Sequence, residues 1–226
     1  MEPVHQYNVN YFFLFDELTF FSAKQCEQFA QTLIDFDLNI YWKAACRSNL
    51  LKSGDEKIVE KLIQSGCVGL GYSLESANTE ILKAMNKKTT PDDFIKQTAL
   101  LRKMGLAVWT SIVVGYPQET ENTLNETFDC CEKAEVYPSV GYLVPLPGTP
   151  MFDYAVKVGA INENDESYLI NSGDRQDLKI NLTQLNNKTI EEIVKKRLYK
   201  ISQKLKLNLD QSQLIKTGHY KHQDTK

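Results

Sequence analysis

Apolar and polar residues follow two rhythms along this chain. Short apolar runs at 10–15, 39–46, 66–74, 106–114 and 140–144 have the length and the aromatic or branched content of β-strands. Between them, 22–36, 55–64, 78–85, 92–103 and 121–133 carry apolar residues three and four apart, the period of a helix that buries one face. Over 22–36, for example, Cys26, Phe29, Ala30, Leu33 and Ile34 share one stripe, and a further helix is expected over 151–158. Asn78 is placed to cap one helix, Pro91 opens another at a permitted first-turn position, and Gly66 and Gly105 sit where helices end. Strands that alternate with helices at spacings near thirty residues predict a parallel sheet with right-handed crossovers. The fold class is therefore α/β, an open sheet or a partial (β/α) barrel of about five parallel strands.

The first strand, 10–15, reads as buried on both faces and ends in the acidic pair Asp16-Glu17. Its unpaired lengthwise edge is expected to favour self-association. Beyond Gly159 the pattern lapses into a polar segment. A last helix then has a capping box, Thr189 with Glu192, and a stripe of Ile190, Ile193, Val194, Leu198, Ile201 and Leu205 expected to pack on the sheet. The expected domains are a barrel arc over 1–159, a C-terminal extension with an amphipathic helix over 160–207, and a disordered tail over 208–226.

Composition narrows the partners. With 26 Lys and Arg against 29 Asp and Glu the formal charge is -3, and no basic patch is present, so neither nucleic acid nor an anionic membrane is an expected partner. The longest uncharged apolar run, 11–15, is far too short to span a bilayer, and the first residues lack a secretion signal, so the expected compartment is the cytoplasm. Five cysteines, at 26, 46, 67, 130 and 131, have no Cys-x-x-Cys spacing, which argues against a disulfide framework or a local metal site.

The third strand carries the chemistry. Val68, Leu70, Tyr72 and Leu74 are bulky while Cys67, Gly69, Gly71 and Ser73 are small, so a period of two sorts the side chains by size. A small inner face ending in Glu75 leaves room for a ligand in a barrel, where inward layers are normally filled by branched residues. Equally, the glycines admit close approach of another element, with Glu75 a solvated loop acid. Arg47 follows the second strand, where it serves either an anionic ligand or a salt bridge on the rim.

Four blocks in order resemble the core domain of the radical S-adenosylmethionine (SAM) superfamily. They are Phe15-Asp16-Glu17 after a strand; Gly66-Cys67 through Leu74-Glu75-Ser76 with Met85-Asn86-Lys87; Gly115-Tyr116-Pro117-Gln118-Glu119-Thr120, similar to a Gly-x-Pro-Gly-Glu-Thr block; and Pro145 to Pro150, similar to Pro-x-Pro-Gly-Thr. Together they cover residues 10–158. Ser73 and Gln118 stand where the family commonly has glycine. Ile180-Asn181-Leu182-Thr183 and the helix after Thr189 resemble the branch that often carries an upstream cobalamin-binding domain.

The resemblance implies that SAM lies across the carboxyl ends of the strands. Glu75, with Ser73 and Ser76 nearby, would bond its ribose or amino group; Arg47 would pair with its carboxylate; Val113, Gly115 and Leu146 would flank the adenine. Asp16 and Glu17 would face a small-molecule substrate or cobalamin. The family also holds a 4Fe-4S cluster on a Cys-x-x-x-Cys-x-x-Cys loop, and this sequence has no such loop. Two functions follow: an enzyme core whose first β/α unit lies upstream of the sequence, or a non-catalytic remnant that binds SAM or a partner. An unrelated phosphate-binding barrel is a third reading, without a Gly-rich phosphate loop to support it.

Overall fold

The computed structural model describes residues 9–16, 18–164, 166–171 and 175–215. Five strands form one sheet in the order β1-β2-β3-β4-β5: β1 (Tyr11–Leu14), β2 (Tyr41–Ala45), β3 (Cys67–Gly71), β4 (Ala107–Val114) and β5 (Pro138–Tyr142). The β1–β2, β2–β3 and β3–β4 pairs are parallel, and a helix occupies each crossover. These helices are α1 (Ala23–Asp35), α2 (Glu56–Gln64), α3 (Thr79–Ala84) with α4 (Pro91–Lys103), and α5 (Glu121–Lys133). Then come α6 (Pro150–Lys157), α7 (Glu166–Asn171) and α8 (Asn187–Lys204).

The chain clusters into two compact units, with boundaries at Leu74, Asn86 and Thr110. The first runs to Leu74 and takes in Lys87–Thr110; the second is Glu75–Asn86 with the described residues from Ser111 onward. In the first, one face of the sheet is core: Trp42, Ala44 and Leu70 are fully buried beside Cys26 and Ala30 of α1 and Val59 and Leu62 of α2. Apolar surface on the helices is thereby removed from water against the bulky side of the strands. The opposite face is not covered in the same way. Tyr11, Phe13 and Tyr41 are 46 %, 42 % and 51 % exposed, so β1 is buried on one side at most and not on both as its composition suggested. Five large apolar residues in a row hide the alternation that burial reveals.

The small face of β3 is also filled. A Cβ on Gly71 would stand 2.0 Å from the indole of Trp109, and one on Gly69 would stand 2.5 Å from the carbonyl oxygen of Ala107. These glycines admit a neighbouring strand and its tryptophan, so the strand's interior is no ligand chamber; the close-approach reading holds there. Gly66 turns the chain from α2 into β3 at φ +88, with a Cβ position 1.9 Å from the Ile40 carbonyl oxygen, a place only glycine fills.

In the second unit α8 lies along α5. Ile190, Val194, Leu198 and Ile201 are buried, while Arg197 pairs with Asp129 and Glu132, and Lys200 reaches Glu132 at 2.9 Å. The stripe is thus answered by α5, where packing on the sheet was expected. The N-cap of α8 is Asn186, whose side chain accepts from the Thr189 N–H, so Thr189 lies inside the helix and not at its cap. The polar segment before it folds on α6: Phe152, Ala155, Ile161 and Leu182 form a small core with Tyr168, whose hydroxyl donates to Pro145. Arg175 pairs with Tyr142 through the Tyr142 N–H, at 2.8 Å. The expected tail after 208 is packed as far as Ile215: a short 3-10 turn, Gln211–Gln213, leads to Leu214, which is 2 % exposed and accepts from the Tyr137 hydroxyl. Residues 216–226 lie outside the described residues.

Candidate functional site

In the second unit the residues at the carboxyl end of β4 are held by two unusual features. Glu75 adopts φ +63, the left-handed region that costs a non-glycine residue on the order of 1–3 kcal/mol unless its surroundings dictate it. They do so here: its N–H donates to the Ser111 carbonyl at 3.2 Å and its carbonyl accepts from the Val113 N–H at 2.9 Å. These two bonds are an isolated parallel bridge of Glu75 to Ile112, four residues past the end of β3 at Gly71. The Glu75 charge acts on Tyr116, whose hydroxyl is pushed above its usual range first by burial and then by that carboxylate.

The second feature is Glu119. It is 3 % exposed, accepts the Gly115 N–H at 2.6 Å and also takes the Tyr116 N–H, so one carboxylate closes the turn 115–119 from inside. Burial raises its carboxyl to about 7, against the opposing effect of the two amide donors. Gly115 itself lies at φ +113, a conformation that opens the turn to this closure. The motif made Glu119 conspicuous; nothing in its spacing told that the side chain points inward.

The other expected residues are distributed as follows. Val113 is half-buried, and Leu146 is 55 % exposed on the turn that leads to α6, its carbonyl accepting the Thr149 hydroxyl. Ser76 is fully buried: it bonds Thr127 at 3.3 Å and accepts the Asn78 N–H at 3.1 Å, which makes it a bracket between the strand exit, α3 and α5. In the first unit Ser73 is half-buried and Asp16 is exposed just past β1, while Glu17 falls outside the described residues. Arg47 is exposed just past β2. Its backbone carbonyl is clamped by Gln97, which donates to it at 2.9 Å and accepts the Leu51 N–H at 2.8 Å. Gln97 is fully buried and fixes the loop that carries Arg47; a polar residue on the apolar face of α4 was the only hint of it.

The cysteines do not make a cluster site. All five are buried, and burial is the first cause of every raised thiol: Cys26 and Cys67 to about 12, Cys130 to about 11, Cys46 and Cys131 well up. Among the described residues no three metal-ligating side chains group together. Nor is any helix of the described residues long and apolar enough to cross a membrane.

Comparison with known proteins agrees with this topology. The Radical SAM superfamily matches residues 21–131. An uncharacterised methyltransferase of Pyrococcus horikoshii is 26 % identical over 153 residues, 67 % of this chain and 33 % of its own length. The anaerobic magnesium-protoporphyrin IX monomethyl ester cyclase of Rubrivivax gelatinosus is 30 % identical over 126 residues, 55 % of this chain and 22 % of that enzyme. The chain thus spans a third or less of these relatives. Among solved structures, the radical SAM methyltransferase TsrM from Kitasatospora setae, with cobalamin and a [4Fe-4S] cluster bound, superposes with a TM-score of 0.60 at 18 % identity, covering 72 % of this chain and 33 % of that one. Coproporphyrinogen III oxidase from Escherichia coli gives a TM-score of 0.52 at 11 % identity, over 80 % of this chain and 37 % of the enzyme.

Proposed function

Because the chain belongs to the radical SAM superfamily, we propose that the carboxyl ends of its strands hold S-adenosylmethionine for the adenosyl-radical chemistry of the whole protein. The observation that carries this reading is Glu75, a carboxylate residue in a left-handed conformation that two backbone bonds maintain. Strain of this kind persists where position matters, and a carboxylate suits ribose hydroxyls or an ammonium as an acceptor. Around it Val113, Gly115 and Leu146 would flank the adenine, and the turn closed by Glu119 would fix their spacing.

Beside a reduced cluster elsewhere in the whole protein, SAM would supply an adenosyl radical once one electron from that cluster split it from methionine. The five cysteines are buried and, among the described residues, no three metal-ligating side chains group together, so this chain's own thiols do not fit a cluster. The part these residues play is to bind and orient the cofactor. Binding without the chelating iron is expected to be weak.

Equilibrium dialysis with radiolabelled SAM tests the reading. Saturable binding is expected, and Glu75→Ala should weaken it about tenfold or more, the scale of a lost hydrogen bond to a charged group. Absence of saturable binding, or an unchanged affinity in the variant, would leave the non-catalytic remnant as the better account.

A further inference from the structure

The uncovered face of the first unit has a chemistry of its own. On it the Lys43 ammonium stands 4.5 Å from the ring centroid of Phe13, 5.5 Å from that of Trp109 and 5.9 Å from that of Tyr11. Strand alternation puts Tyr41 on the same side as Lys43, opposite Tyr11 in the ladder. Three of the rings, Tyr11, Phe13 and Tyr41, are between two-fifths and just over half exposed. Trp109 is fixed from below by Gly71 and from the side by Phe13, whose ring meets it edge-on at 6.3 Å. Among the described residues Lys43 pairs with no carboxylate.

We propose that this face, Tyr11, Phe13, Tyr41, Lys43 and Trp109, is a recognition surface for a planar, conjugated ligand bearing a carboxylate or similar anion. Two arguments select that class. The side chains over which the ammonium stands, Tyr11, Phe13 and Trp109, are aromatic, and ring-on-ring contact adds to the area term, which an aliphatic ligand would gain alone. A cation held over ring faces, with no acid partner among the described residues, favours a complementary charge on the ligand. The proposal stands apart from the reading of Glu75, because every residue in it belongs to the first unit.

Quenching of tryptophan fluorescence in the intact chain tests it, with Trp109 as reporter and the buried Trp42 as background. Three probes separate shape from charge: 1-pyrenebutyrate, its neutral amide, and cyclohexanebutyrate used as a competitor. Saturable quenching by 1-pyrenebutyrate is expected, with the amide and the Lys43→Gln variant each weaker by about fivefold, the upper scale of a single partly exposed ion pair. Cyclohexanebutyrate should compete poorly. Lys43→Gln should leave SAM dialysis unchanged, so that failure here is distinguishable from failure at Glu75. Equal affinity for the amide, or no loss in Lys43→Gln, overturns the charge argument. Strong competition by cyclohexanebutyrate overturns the planar one. Light scattering that shows a dimer, with no quenching by any probe, would assign the face to a second copy of the chain and also overturn the proposal.

Discussion

Glu119 links the turn at the end of β4 to pH. In the unfolded chain its carboxyl titrates at the ordinary value of 4.5, and in the fold burial moves it to about 7. Below about 4.5 both states are protonated. Between the two values the folded chain keeps a proton that the unfolded chain has lost, so stability falls as pH rises through this window; above about 7 both are ionised and the dependence ends. Stability from this group is therefore fully present in acid and lost by neutrality, opposite to an ordinary ion-paired carboxylate. Moving from 4.5 to about 7 at 1.36 kcal/mol per pH unit gives a loss of about 3 kcal/mol. For a chain of this length that is roughly 6–12 °C in melting temperature. The perturbation is Glu119→Gln, which keeps the size and an oxygen to accept the Gly115 N–H but cannot ionise. Thermal and urea unfolding by circular dichroism, at steps from pH 4.5 to 8, should show the parent losing stability relative to the variant by that amount. Taking the difference between the two proteins cancels every other titrating group. A difference profile flat to within about 0.5 kcal/mol, or one in which the parent gains as pH rises, would refute the inward, desolvated placement of this carboxylate.

Other consequences follow from single contacts. Gly71→Ala places a Cβ at 2.0 Å from the Trp109 ring and should cost about 1–3 kcal/mol, read by urea unfolding with a shifted tryptophan emission; adding Trp109→Leu should recover most of the loss if that ring is the obstacle. Arg197→Ala breaks the bridge from α8 to Asp129 and Glu132 and should lower stability by about 1–3 kcal/mol, less at high salt, because Lys200 and Lys204 still face Glu132. Among the described residues β1 has one strand neighbour, so multi-angle light scattering of the purified chain should show mass rising with concentration; a constant monomer mass across that range would count against edge pairing.

Much of the fold was legible because its signals are local. Four of the five strands and the crossover helices fall in the runs their period assigned, while β5 lies two residues early, at Pro138–Tyr142; several caps work as their residue types require: Asn78 accepts from Glu80 and Ile81, and Thr90 closes a capping box just before Pro91. What was not legible depends on partners remote in sequence. Nothing near Gln97 shows that it will clamp the loop of Arg47, fifty residues earlier. The Thr189–Glu192 spacing satisfies a capping rule, yet Asn186 starts the helix three residues sooner and takes the role. Leu214, alone in a polar stretch, looked like tail and is instead anchored by Tyr137.

The small face of β3 shows how one pattern sustains two physical causes. Gly69 and Gly71 permit either an empty chamber or a close neighbour, and the choice rests on what β4 puts opposite them. Because the parallel register sets Gly71 against Trp109, the space is taken by an indole that in turn stands beside Phe13 and the Lys43 ammonium. The same small residues that suggested a cofactor chamber thus build an aromatic surface. The case for a cofactor moves past the strand, to the last bridge beyond it: Glu75, bonded to Ser111 and Val113 in a conformation its side chain disfavours, is where the chain accepts strain at a strand end.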